Sequence, residues 1–171
     1  MKKTAIILIL LTASFRQCQD LPQYPDVPAI SFEYFQLYIT TNSLDQEVLT
    51  GKMNFSFTDG DGNVGFDQWP DSVALSLPDT QRYNLFLQVH DYQDNQFVKI
   101  PEEDGGVLKY IVPYLDKQPL SGTISVTIEY PIIRYDTVFY TFYMYDRDFN
   151  KSNTDTSGQL ILSGIELNSS E

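Results

Sequence analysis

The sequence predicts an all-β domain, an antiparallel sandwich of seven to eight strands, on three observations. From Ala29 onward apolar residues recur with a period close to two. No stretch of ten or more residues carries a helical stripe, and polar clusters interrupt the chain at short intervals. At 171 residues, 42% hydrophobic and 14% aromatic, the chain has the size and composition of one domain with a substantial core rather than of a disordered segment.

The predicted strands are Ile30–Thr40, Lys52–Thr58, Tyr83–Asp91, Gln96–Ile100, Val107–Pro113, Gly122–Tyr130, Thr137–Tyr145 and Gln159–Leu167. In the second, Met53, Phe55 and Phe57 alternate with polar neighbours, so one face points inward. The third does the same with Leu85, Leu87 and Val89, which puts His90 on the opposite face. Asp91-Tyr92-Gln93-Asp94-Asn95 then closes a hairpin into the fourth. Ile124, Val126 and Ile128 define the inner face of the sixth strand, and Val138, Tyr140, Phe142 and Met144 that of the seventh. Turn clusters separate these runs at Asp59–Gly65, Asp91–Asn95, Glu102–Gly106, Asp116–Ser121 and Asp146–Ser157. Short strands of this number joined by polar turns describe a sandwich better than a small barrel.

The amino terminus carries an address. Lys2 and Lys3 precede the apolar run Ala5–Leu11, a positive n-region and an h-region too short to span a bilayer, so residues 1–17 read as a signal peptide. Cys18, the only cysteine, falls where such a signal is cut, and the stretch resembles a lipoprotein signal in which Cys18 is acylated. Phe15, Arg16 and Gln17 depart from the usual lipobox, and the competing reading is ordinary cleavage near Ala13 or Ser14 that leaves Cys18 a free thiol. Residues 18–28, with Pro22, Pro25 and Pro28, read as an extended tether, and residues 29–171 as the sandwich.

Charge excludes several classes of function. The 23 acidic against 11 basic side chains give a net charge of −12, and loss of residues 1–17 removes three bases and no acid, leaving −15. That balance argues against a nucleic-acid partner, and it makes the N-terminal lipid the only expected contact with a membrane. One histidine excludes multi-histidine metal sites, and His90 on its strand is a half-exposed side chain before it is a catalytic base. With so many acids, a pair spaced as in a glycosidase arises by chance, so a carboxylate-based hydrolase ranks third among the readings and the protein is read as non-enzymatic.

Two acidic loops stand out. Asp59, Asp61 and Asn63 offer oxygens at alternate positions of Asp59-Gly60-Asp61-Gly62-Asn63, a spacing that turns three oxygens onto one point and suits a hard cation such as Ca²⁺. It is no EF-hand, since Val64 and Pro70 stand where Gly and Glu are needed. In an immunoglobulin-like sandwich the loop after the second strand and the loop before the last emerge at the same end, which would bring Asp146 and Asp148 to complete the shell. The alternative is a turn held by backbone hydrogen bonds, with Arg147 and Lys151 neutralising the carboxylates. A separate candidate is an aromatic platform for a glycan or protein partner formed by Trp69, Tyr143 and Tyr145, against the plainer reading in which Trp69 plugs the core and the two tyrosines are covered.

Together, the lipoprotein-like signal, Tyr24-Pro25-Asp26-Val27-Pro28, the tract Phe57–Gly65, Leu120-Ser121-Gly122-Thr123-Ile124 and the tract Tyr145–Asn153 resemble a family of surface-associated lipoproteins of Bacteroidota-type bacteria. The resemblance spans nearly the whole chain. It implies an immunoglobulin-like β-sandwich, lipid-anchored to the outer membrane on its periplasmic or cell-surface side, and no assigned reaction.

Overall fold

The computed structural model describes residues 23–67, 70–114 and 121–165. Residues 1–22, Cys18 among them, and Trp69 lie outside them, so the expected signal peptide, the expected lipidation and the expected role of Trp69 have no structural counterpart. The strands are β1 (Ala29–Thr41), β2 (Glu47–Thr58), β3 (Leu85–Gln93), β4 (Gln96–Lys99), β5 (Val107–Tyr110), β6 (Ser121–Tyr130), β7 (Thr137–Met144), β8 (Asp155–Thr156) and β9 (Leu160–Ile161). They form two antiparallel sheets, one ordered β1-β2-β6, the other centred on β3 and β7. In the second sheet β4 and β5 pair with one edge of β3, while β8 and β9 pair with the outer edge of β7. The chain changes sheet between β2 and β3, between β5 and β6 and between β6 and β7, the Greek-key connections of an immunoglobulin-like sandwich.

The core lies between the sheets and is built from the alternating residues. Met53, Phe55, Leu85, Leu87, Phe142 and Met144 are fully buried, and Phe55 meets Phe142 with ring centroids 5.1 Å apart. Gly51 on β2 has a packing role. A Cβ there would stand 2.4 Å from the Phe35 ring, so its absence lets Phe35 reach across and stack on Tyr140. The Tyr140 hydroxyl bonds that of Tyr130 at 2.8 Å.

Three elements differ from the sequence reading. Strand β2 begins five residues earlier than Lys52, because Val48, Leu49 and Thr50 are all buried and a segment covered on both faces has no alternation to read. The irregular stretch after the Asp59 loop contains two helical turns, Asp71–Ala74 and Asp79–Arg82. In place of one strand over Gln159–Leu167 the chain forms β8, inside the expected turn Asp146–Ser157, and the short β9, with Gly158 between them at φ 73° and residues 166–167 outside the described ones. The hairpin between β3 and β4 is as expected: Asp94 and Asn95 take φ values of 48° and 62°, both left-handed, the two-residue turn that matches the twist of paired strands.

One edge is closed by side chains instead of a strand. Asn153 accepts from the Ile30 amide at 2.8 Å and donates to its carbonyl at 2.9 Å, and Asp155 accepts from the Phe32 amide at 2.6 Å. These two residues imitate a strand along the free edge of β1.

Candidate functional site

The end of the sandwich where β1 begins and β2 and β7 stop gathers both acidic loops. The strand–loop junctions there are pinned by Asn84, which is fully buried and exchanges two side-chain hydrogen bonds with the backbone of Val112. Its own carbonyl accepts from the Tyr145 amide at 2.7 Å, so the loop after β7 leaves from a fixed point. Gly60 is held just as closely: its amide donates to the Pro25 carbonyl at 2.8 Å, and a Cβ would lie 2.2 Å from the Tyr24 carbonyl oxygen. Tyr24 and Pro25 are therefore packed directly against the Asp59 loop.

Asp59, Asp61, Asn63, Asp146 and Asp148 are all brought to this end. Asp59 accepts from the Asn63 amide at 2.8 Å, and Asp61 accepts from the Asn63 backbone at 3.3 Å and its side chain at 2.9 Å. The same Asn63 side chain donates to Asp148 at 2.9 Å. Asp146, fully buried, accepts from the backbone and side chain of Asn150 at 2.7 and 2.8 Å. Arg147 donates its Nε to the Asn63 carbonyl at 3.1 Å, and its guanidinium lies over the Tyr114 ring, 4.6 Å from the centroid.

Two oxygens remain unsatisfied. Asp59 Oδ1 and Asn63 Oδ1 are buried and have no hydrogen-bond partner. Burial pushes the Asp59 carboxyl up to about 6, the Asn63 amide pulls it down, and the neighbouring Asp61 and Asp146 raise it further. Among the described residues no cationic side chain forms an ion pair with Asp59: Lys109 pairs with Asp79 and Glu102, while Arg147 and Lys151 lie over aromatic rings. Also among the described residues, no group of three or more His, Cys, Asp or Glu side chains stands in a metal-holding arrangement. The reason is visible in the hydrogen bonds: the Asn63 NH₂ occupies the space between Asp61 and Asp148, and Asn150 engages both oxygens of Asp146.

A second cluster lies on the outer face of β3 and β7. A groove of about 550 Å³ is lined by His90, Lys99, Lys109, Thr141, Tyr143 and Lys151, with Asp79 and Glu102 at Lys109. His90 stacks on Phe139, ring centroids 4.4 Å apart and 4° from parallel, and its Nε2 lies 3.1 Å from the Thr141 hydroxyl. Burial and then Lys99 lower its pKa, so the imidazole is neutral at pH 7. Asp79 and Glu102 are engaged by Lys109.

Tyr143 and Tyr145 are half-buried and stand at 88° to one another, with Phe86 parallel to Tyr143 at 5.4 Å. Lys151 sits 3.7 Å above the Tyr143 ring. The rings thus form an interlocked cluster, not a coplanar shelf.

The lysine groove was missed from sequence because its three cations come from β4, β5 and the loop after β7. The signal the sequence does carry is the outward face of β3, on which His90 lies. No protein-family model matches the chain, and no curated protein is similar to it.

Proposed function

We propose that the protein is an exported lipoprotein, tethered through Cys18, whose immunoglobulin-like sandwich serves as a non-catalytic structural or binding module of the cell envelope and holds a structural Ca²⁺ at the Asp59 loop. One observation carries the ion: the buried, unpartnered Asp59 Oδ1 and Asn63 Oδ1 lie among Asp61, Asp146 and Asp148 with no cationic side chain paired to them. Hard oxygen donors in this number are the donor set of calcium. A half-turn of the Asn63 amide exchanges its nitrogen and oxygen and presents Oδ1 to the space between Asp61 and Asp148, which is the change an incoming cation requires. Binding would then neutralise an end of the molecule whose carboxylates otherwise repel one another.

The non-catalytic reading is supported by the groove. His90 faces a hydroxyl and an aromatic ring, and both nearby carboxylates belong to Lys109, so no acid and base are poised against one another. The leader and the −15 charge after its loss support the address.

The test is the melting temperature of the purified protein in excess Ca²⁺ and in chelator, beside Asp61→Asn. Calcium is expected to raise it by about 5–10 °C in the parent, as linkage to a tightly bound ion requires, and to leave the variant unmoved. Equal melting of the parent in both buffers would remove the ion and leave the loop as turn chemistry.

A further inference from the structure

Three of the four lysines among the described residues line the single groove on the outer face of β3 and β7. In a chain with twice as many acids as bases, that convergence is the opposite of what composition favours. Lys109 is neutralised by Asp79 and Glu102, but Lys99 and Lys151 form no ion pair among the described residues. The Lys151 ammonium is instead held over the Tyr143 ring, 3.7 Å from its centroid, which fixes a positive charge at the groove wall without neutralising it. The Thr141 hydroxyl, His90 and the Thr154 side chain add polar groups to the same groove.

We infer that this groove binds an anionic glycan, an oligosaccharide bearing carboxylate or sulfate groups. The unpaired ammoniums of Lys99 and Lys151 meet the acid groups, and Thr141, His90 and the carboxylates of Asp79 and Glu102 meet hydroxyls. Positive charges supplied from separate segments around an open groove fit an extended, hydroxylated ligand rather than a compact phosphate, which a nest of backbone amides or an arginine fork would hold. The inference rests on the reading of the protein as a binding module and gives that module its ligand class.

The experiment is calorimetric titration of the purified protein at low salt with three hexasaccharides: oligogalacturonate, a heparin-derived sulfated oligomer, and neutral maltohexaose. At least one anionic probe is expected to bind saturably, with affinity falling as salt is raised. Whichever binds more tightly identifies carboxylate or sulfate as the recognised group. Lys99→Met and Lys151→Met are each expected to weaken it about tenfold, the worth of one charge-assisted contact. Lys52→Met, on the opposite sheet, is expected to have no effect. Lys99 is exposed on β4 and its substitution disturbs no packing, so folding of that variant is secure. Absence of binding to both anionic probes, equal binding of maltohexaose, or equal loss in all three variants would overturn the inference. Calcium-dependent melting on the same preparation separates the claims. A calcium response without glycan binding ends the groove inference alone, and glycan binding without a calcium response supports the groove and ends the ion.

Discussion

Asn63 donates its side-chain amide to Asp148 at 2.9 Å, joining residues 85 positions apart in the sequence. With the bond to Asp61 this makes one amide the bridge between the loop after β2 and the loop after β7. Behind that bridge lies Asp59, fully buried and with one oxygen unpartnered.

Asp59 gives the first prediction, made for protein in chelator. Its carboxyl titrates near 6 in the folded chain and near 3.8 when unfolded. Between those values the folded state binds more protons than the unfolded state, so this group's contribution to stability falls as pH rises through the window. The groups facing Asp59 are Asp61, Asp146 and the Asn63 amide. Chemical denaturation from pH 4.5 to 7.5 should show the parent losing stability relative to Asp59→Asn, with the variant more stable at pH 7 by about 1–3 kcal/mol. A parent that gains on the variant as pH rises would contradict the burial of an uncompensated charge.

Gly60→Ala tests the docking of the Tyr24–Pro25 segment. The added methyl must displace the Tyr24–Pro25 backbone and break the Gly60 amide bond to Pro25. A loss of about 1–3 kcal/mol is expected in urea. Limited proteolysis should cut ahead of Ala29 sooner in the variant than in the parent. Unchanged cleavage would mean that the segment is not held there.

The edge of β1 depends on two side chains. Asn153→Ala leaves the Ile30 amide and carbonyl without partners and should cost about 1–3 kcal/mol. Adding Asp155→Ala frees the Phe32 amide as well, and the double variant should associate with increasing concentration as its open edge pairs with another copy. Light scattering that stays monomeric over that range would assign the two residues to stability alone.

The turn between β3 and β4 offers a gain. Asn95 sits at φ 62°, where glycine carries no Cβ penalty, so Asn95→Gly should stabilise by a few tenths of a kcal/mol and Asn95→Val destabilise by about 1 kcal/mol or more. Thermal melting of the pair gives the sign of each.

The sandwich was legible because its strands are half-covered: Leu85, Leu87 and Val89 face the core while Gln88 and His90 face outward, and such alternation is written into the sequence. It failed at Val48–Thr50, where both faces are covered. The meeting of Asp59 with Asp146 followed from connectivity, since a Greek key fixes which loops share an end. What connectivity does not convey is the state of each oxygen there. That Asn63 points its nitrogen at Asp61 and Asp148, and that Arg147 turns to a tyrosine ring, are matters of packing. Lys99, Lys109 and Lys151 meet only after three separate strand pairings are in place.

Residues 146–155 touch three separate features of the molecule: Asp146 and Asp148 the acidic end, Lys151 the groove, Asn153 and Asp155 the edge of β1. One residue inserted between Asp148 and Lys151 would put the later anchors out of step with their partners while leaving composition and charge almost unchanged. The segment is consequently fixed in length, and it can vary over time only by substitution in place.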